Sequence, residues 1–562
     1  MKHVLDAVIV AAAATLFVIA GIGGYEIEIG ELAIRARDWL RPALALALAL
    51  AARAALGVVG ANSQRVSSSA IVSGVVTRSL LAMIVAAGIV YSQYHVRVAG
   101  GLDSYGYVSA ATSIASGRLR EPQPLAAVLP FADSLSAATP LGQVPAPDGR
   151  SSVPRFPLGL PIVMALFAQF HPNGPFFVPL VMGFVALVVV YAIGRTSSDR
   201  VTGLFAAALV AVDPVFAVSA IQPMSDVPAV CWLLAAIWTL QMAEKARSRL
   251  WSVASGVCAG MAILTRPVLL PAVFVFLLVT MTGGRRRDAL ARAGVVLVFL
   301  LLQLSLNASL YGTATMSGYG TTSHMFELSW SRLGANLSNF AKWAVYSGTP
   351  PFWFLWPAAI GVLWRDRRAW EASAVGAAAG APYLFYLAFD NWDATRFLLP
   401  TIVLASIVCA RAVSHMLGLE PSIRTWRPAI LLTIVFGCAV TSQRFLQREG
   451  IAQSESMEAK YPLVGEWFKR NTPARAVVLS SLHSGAIRMY GGRQTIRWDH
   501  IPPSAFGATI ERLAASGYEP YLALDMPSEP PMFEERFRGE LIHTEPIARV
   551  RVVNIYKIVS AR

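Results

Sequence analysis

The sequence predicts a polytopic helical membrane protein carrying a soluble α/β segment at its C-terminal end, on three observations. Hydrophobic residues make up 55% of the chain and charged residues only 14%, with a mean hydropathy of +0.53, far from the balance of a water-soluble domain. Apolar runs recur through the first 446 residues, separated by short basic loops. Beyond residue 450 the pattern changes, and 14 Lys and Arg stand against 12 Asp and Glu among strand-like and helix-like stretches.

The net charge of +14 therefore resides almost entirely in the apolar part, in loops between hydrophobic runs. That is the signature of membrane orientation and excludes a nucleic-acid-binding face. Cys231, Cys258, Cys409 and Cys438 all lie within apolar runs and share no CxxC spacing, so they read as small core residues.

Taken in order, residues 8–20 form an uncleaved first helix, because Asp6 interrupts the basic start and no small-x-small cleavage site follows. Residues 25–37 alternate apolar and charged side chains, which predicts a small exposed hairpin. Spans at residues 44–50 and 77–94 complete the N-terminal helices, residues 1–95. Residues 96–161 contain nine prolines, so they form a long outer loop rather than one helix, with an amphipathic surface helix at 105–116. Residues 157–170 are assigned to a helix in the outer interface. Ten further runs between residues 176 and 441 bring the total to about thirteen spans, within a core of residues 162–446. Residues 447–562 are the α/β segment, with strands at 476–480, 521–525 and 550–558 and helices at 462–470 and 504–515.

A cytoplasmic N-terminus and three spans put Asp103 outside. The alternate loops then place Arg195/Arg200, Lys245/Arg247/Arg249, Arg285 to Arg287, Arg365/Arg367/Arg368 and Arg424/Arg427 inside, as the positive-inside rule asks. The same parity puts the C-terminal segment outside.

The chemistry is expected in the outer loops. Gly100-Gly101-Leu102-Asp103-Ser104-Tyr105-Gly106-Tyr107 presents a carboxylate where a span ends, followed by two rings suited to the headgroup level. Asp103 reads either as a general base or as a cap for a helix beginning at Ser104. Asp226, ahead of Val227-Pro228, has the same two readings. Asp213-Pro214 falls inside a span, which it bends or whose cavity it lines. Arg266 and Arg396 stand at outer helix ends, as phosphate ligands or as snorkelling side chains. Asp390 and Asp393 are candidates for a divalent ion, with solvation or an ion pair to Arg396 as the alternative. His324 and Glu327, in the outer loop at 312–350, and His483-Ser484-Gly485 have no metal or nucleophile spacing, and the missing phosphate-loop motif argues against direct use of ATP.

An ordered set of short motifs resembles the GT-C superfamily of membrane glycosyltransferases, in particular the lipid A aminoarabinose transferase and protein O-mannosyltransferase-like group. The set comprises Asp103-x-Tyr105-x-Tyr107, Gly117-x-Leu119-x-x-Pro122, Ser225-Asp226-Val227-Pro228, Leu264-Thr265-Arg266-Pro267, Ser317-Gly318-Tyr319-Gly320 and Arg396-Phe397-Leu398-Leu399-Pro400. It covers about residues 80–415. One departure stands out: the family's His-Pro-Pro or Tyr-Pro-Pro re-entry is Arg155-Phe156-Pro157-Leu158 here.

The resemblance implies a transferase of the bacterial inner membrane that moves a sugar from a polyprenyl-phosphate carrier to a lipid, glycan or protein at the outer face. It makes Asp103 and Asp226 the catalytic acids, Arg396 and Arg266 the ligands of the carrier phosphate, and Tyr105, Tyr107, Arg155 and Tyr319 the substrate contacts. No cofactor beyond a divalent ion is implied. The alternative class is a non-catalytic flippase of lipid-linked sugars, against which the proline-broken outer loop argues.

Overall fold

The structure is a computed structural model that describes residues 11, 25–29, 32–36, 68–281, 286–321, 330–347, 350–419 and 426–561. The two spans expected at residues 8–20 and 44–50, together with Arg285, His324, Glu327 and Arg424, lie outside these residues apart from position 11. The hairpin expected at 25–37 is present as antiparallel strands Tyr25–Ile29 and Leu32–Ala36, with Tyr25 opposite Ala36.

Among the described residues five helices are long and apolar enough to cross a membrane: Gly174–Ser197, Asp226–Ala246, Arg286–Tyr311, Trp392–Leu419 and Arg427–Arg448. A bent pair of helices passes the same test of length and apolarity only when taken together. Arg200–Ala211 and Pro214–Ile221 meet at 67°, and the break falls at Asp213-Pro214. Proline cannot extend the first helix, and the Asp213 carboxylate accepts a hydrogen bond from the Phe216 amide at 2.9 Å, capping the second. Shorter apolar helices include Arg78–Gln93, Gly159–Ala168, Arg249–Thr265 and Pro267–Met281.

The basic loops gather at one end of these helices. Arg427 pairs with Asp199 at 2.7 Å, Arg368 donates to the Thr196 carbonyl at 2.9 Å, and Arg411 pairs with Asp366. Asp103, Asp226, Arg266 and Arg396 stand at the other helix ends, joined in two ion pairs.

The segment read as an outer loop is more ordered than its prolines suggested. Its helix, Asp103–Ala115, is not an amphipathic surface helix: Ser104 through Ala111 are all buried, between the helix Gly159–Ala168 on one side and the C-terminal segment on the other. Further on, Glu121–Pro122, Ser151–Pro154 and Gln143–Pro145 pair antiparallel in a small sheet.

From Lys460 to Ala561 the chain forms a five-stranded mixed sheet in the order Ile542–Val550, Val553–Ala561, Glu519–Asp525, Ala476–Leu479, Gln494–Ile496. Its three strands Glu519–Asp525, Ala476–Leu479 and Gln494–Ile496 run parallel, and the helices Lys460–Asn471 and Phe506–Ala515 pack their buried faces on the sheet. The strand expected at 550–558 spans a hairpin turn instead: Val550 pairs with Val553 across Arg551, which has φ of 56°. One apolar core joins this sheet to the outer segment, with Leu125, Leu129, Ala137 and Ala138 packed among Leu479, Trp498 and Phe506.

Candidate active site

Proline placement sets the site. Arg266 ends the helix Arg249–Thr265 with an extended backbone (φ −150°, ψ 91°), because Pro267 disfavours helical geometry in the residue before it. The side chain is thereby turned across the bundle end, where its guanidinium pairs with Asp226 and donates to the Tyr383 hydroxyl at 3.0 Å. Arg396 lies in the 3-10 turn Trp392–Leu398, which Asn391 caps by accepting from the Ala394 amide at 3.1 Å. It donates to Asp103 at 3.0 Å and lies 3.5 Å from Asp393. The two guanidiniums share one aromatic support, each 5.5 Å from the Phe397 ring centroid.

Neither aspartate is a helix cap. Asp103 and Asp226 are the first residues of their helices and make no side-chain capping bond. The capping readings are thereby replaced by ion pairing. The two pairs differ in access: the Asp103 side chain is 28% exposed and that of Asp226 only 4%. Asp226 is thus a sealed counter-charge to Arg266, whereas Asp103 still meets solvent and its second oxygen has no hydrogen bond among the described residues.

Next to these pairs lies a cavity of 420 Å³. Arg155, Arg266, Tyr107, Tyr319, Tyr383 and Phe397 contribute to its wall, so it is both aromatic and cationic. The Asp103–Arg396 pair adjoins this cavity through two wall residues: Phe397, which supports Arg396, and Tyr107, one helical turn beyond Asp103. Two glycines permit this assembly by close approach. A Cβ on Gly159 would overlap the Leu264 and Thr265 backbone, so glycine lets the re-entry helix dock beside Arg266. A Cβ on Gly318 would overlap the Arg155 carbonyl, so the turn Ser317 to Gly320 sits directly on Arg155 and holds the Tyr319 ring 5.4 Å from its guanidinium.

Arg155 differs from the other two arginines. It has no carboxylate partner among the described residues; its Nε, like that of Arg396, is buried without a hydrogen bond. The next residue, Phe156, stacks on Tyr107 at 4.6 Å and meets Tyr319 edge-on at 5.6 Å, while the Tyr107 hydroxyl donates to Ser225 at 2.8 Å.

Tyr105, expected beside Tyr107, points the other way. It is buried against Gly142 and Gly485, where it joins the Asp103 helix to the C-terminal sheet. Residues two apart on a helix face nearly opposite sides, so the two tyrosines serve different surfaces. The sheet also holds the outer segment by polar contacts: the Leu141 amide donates to Ser484 at 3.0 Å and the Arg497 amide to the Ala137 carbonyl at 2.7 Å.

His483, beside Ser484, is fully buried, meets the Tyr461 ring at a tilt with centroids 4.6 Å apart and pairs with Asp525 at 2.9 Å, with Lys460 on the same carboxylate at 2.5 Å. Burial pushes the His483 imidazole below its usual value, outweighing the raising effect of Asp525. Burial alone would raise the Asp525 carboxyl, but hydrogen bonds from His483 and Lys460 hold it below the ordinary range.

The metal candidates separate. Asp390 pairs with Lys342 at 2.7 Å and Asp393 with Arg396. Among the described residues no three His, Cys, Asp or Glu gather to hold an ion.

The sequence reading passed over Tyr383, Tyr386 and the pair Gln303 and Asn307, all on the cavity wall. A signal for the last pair exists: two amides four residues apart in an otherwise apolar run share one helix face.

Residues 152–309 match the family model of the dolichyl-phosphate-mannose-protein mannosyltransferases. The structure is similar to ArnT from Cupriavidus metallidurans bound to undecaprenyl phosphate, at 14% identity and a TM-score of 0.53, covering 85% of this chain and 97% of that one. Against the same protein in its apo state the TM-score is 0.55, with the same identity and coverage. The oligosaccharyltransferase of Archaeoglobus fulgidus in complex with Zn and sulfate is similar at 15% identity and a TM-score of 0.51, covering 82% of this chain and 72% of that one. No curated protein matches the sequence. This integral membrane protein is thus similar over residues 152–309 to the dolichyl-phosphate-mannose-protein mannosyltransferases, and in its fold to ArnT and the archaeal oligosaccharyltransferase.

Proposed function

We propose that the protein transfers a sugar from a polyprenyl-phosphate carrier to an acceptor hydroxyl on a lipid, glycan or protein. The carrying observation is the aromatic and cationic cavity together with the Asp103–Arg396 pair, which rests on Phe397 of the cavity wall. Asp103 is the general base: its solvent-reaching oxygen takes the acceptor proton as the acceptor oxygen bonds to the anomeric carbon. The bond from that carbon to phosphate oxygen breaks, and the phosphate leaves with the electron pair. Arg396 orients Asp103, Arg266 is paired with Asp226, and Arg155 supplies a cation that no carboxylate among the described residues answers. Arg155 and Arg266 on the cavity wall are therefore assigned to the carrier phosphate, with Tyr107 and Tyr319 lining the sugar.

That two ArnT structures and this chain share a fold, one of them bound to undecaprenyl phosphate, supports a lipid-phosphate donor. The parity of the basic loops supports an outer-facing site and an extracytoplasmic α/β domain at residues 447–562, in a bacterial inner membrane.

The Arg155 assignment is tested by donor affinity. A hydrogen bond to a charged group contributes about 1.5–3 kcal/mol, so Arg155→Ala is expected to weaken binding of undecaprenyl phosphate by roughly 10–100-fold. Arg155→Lys, which keeps the charge but loses the fork, falls between. Equal affinity in wild type, Lys and Ala variants, all eluting as folded protein, would reject the role.

A further inference from the structure

One wall of the cavity is furnished for a ligand group that phosphate binding does not use. The helix Arg286–Tyr311 is largely lipid-facing: Leu297, Val298, Leu301 and Leu302 are all exposed. Leu300, Gln303, Leu304 and Asn307 recur at the opposite spacing and line the cavity. An amide inside such an apolar helix is costly unless satisfied. Gln303 is only 8% exposed, and it is half satisfied. Its Nε2 donates to Asn307 Oδ1 at 2.8 Å, and Asn307 in turn donates to the Ala314 carbonyl at 3.2 Å. Its Oε1 is buried with no partner among the described residues.

The chain of amides fixes which end of Gln303 is left over. Asn307 is held by the backbone of the turn that follows the helix, so it presents its oxygen to Gln303 and accepts that side chain's NH2. What remains on the cavity wall is a neutral acceptor in want of a donor. An ammonium at such a place would call for a carboxylate, whereas a neutral carbonyl oxygen matches a hydroxyl.

We propose that Gln303, positioned by Asn307, is a specificity subsite that accepts a hydrogen bond from a carbohydrate hydroxyl of the substrate. The assignment rests on the transferase reading above and adds the group that is recognised. A site built to bond a hydroxyl penalises any ligand lacking it, because its own buried polar atom is then left unpaired. Donor sugar and glycan acceptor both carry such hydroxyls, and the test has an arm for each.

Purified protein in detergent is presented with equal amounts of undecaprenyl phosphate and of sugar-bearing polyprenyl phosphates extracted from membranes, and the bound lipid is read by native mass spectrometry. Wild type is expected to favour the sugar-bearing lipid. Gln303→Leu and the unbranched Gln303→Met remove the acceptor at similar volume, and either is expected to lower that preference about tenfold with binding of the bare carrier unchanged. If the hydroxyl comes from the acceptor, the lipid preference holds and the KM for a glycan acceptor rises about tenfold instead, with kcat little changed. Unaltered lipid preference together with unaltered KM overturns the assignment, as does an equal fall in bare-carrier binding. Wild type that binds neither lipid defeats the donor reading itself, a result seen without any variant.

Discussion

Asp103→Asn is expected to lower the rate of sugar transfer by about 10²–10⁴-fold, the usual cost of losing a general base, while donor binding stays near normal. Asparagine keeps the size of the side chain and can still accept a hydrogen bond from Arg396, but it cannot take a proton. The helix does not suffer, because Asp103 contributes no cap to it. Arg396 also keeps Asp393 nearby at 3.5 Å, so the cation is not left alone. The comparison is made at saturating donor and acceptor, where kcat isolates the chemical step. Equal kcat in wild type and variant would remove Asp103 from the base role and leave it a counter-ion to Arg396.

Arg266→Met is expected to act first on folding. Its partner Asp226 is 4% exposed, and deleting one member of a buried ion pair costs about 3–5 kcal/mol because the remaining charge has no answer. Thermal unfolding in detergent should therefore shift to markedly lower temperature. Adding Asp226→Leu removes the stranded charge and should recover most of that loss, since replacing a whole buried pair by apolar groups is often neutral. Activity should not return, because the cavity has lost one of the cations assigned to the carrier phosphate. An Arg266→Met protein as stable as wild type would show that the pair carries no structural weight.

The pieces of this site were legible in the sequence wherever proline or charge forced the backbone. Arg266 before Pro267 and Asp213 before Pro214 are local dictates: the first sets an extended residue, the second a bend with a built-in cap. Apolar periodicity likewise marked most of the long helices. What could not be read was partnership across the chain. Asp103 and Arg396 are separated by 293 residues, and nothing local told a capping carboxylate from an ion-paired one. Tyr105 and Tyr107 look equivalent in a motif, yet helical geometry sends them to different surfaces, one against Gly485 and one into the cavity. The burial of the Asp103 helix was hidden for the same reason, because its outer cover is the C-terminal segment, where Gly485, about 380 residues further on, packs against Tyr105. Arg155 appeared as a departure from the family's re-entry motif; its distinction from Arg266 and Arg396, the lack of a carboxylate partner among the described residues, is a fact of three dimensions.

A transferase makes a glycosidic bond, whereas a flippase only moves a lipid. Purified wild-type protein in detergent, with no second compartment, is mixed with membrane-extracted polyprenyl-phosphate sugars and candidate lipid, glycan and peptide acceptors, and the products are weighed by mass spectrometry. A transferase yields an acceptor heavier by one sugar together with free polyprenyl phosphate, and Asp103→Asn yields far less of both. If no acceptor gains mass with any donor while the same protein in sealed liposomes carries the lipid-linked sugar across the bilayer, the transferase account is wrong and the protein is a flippase.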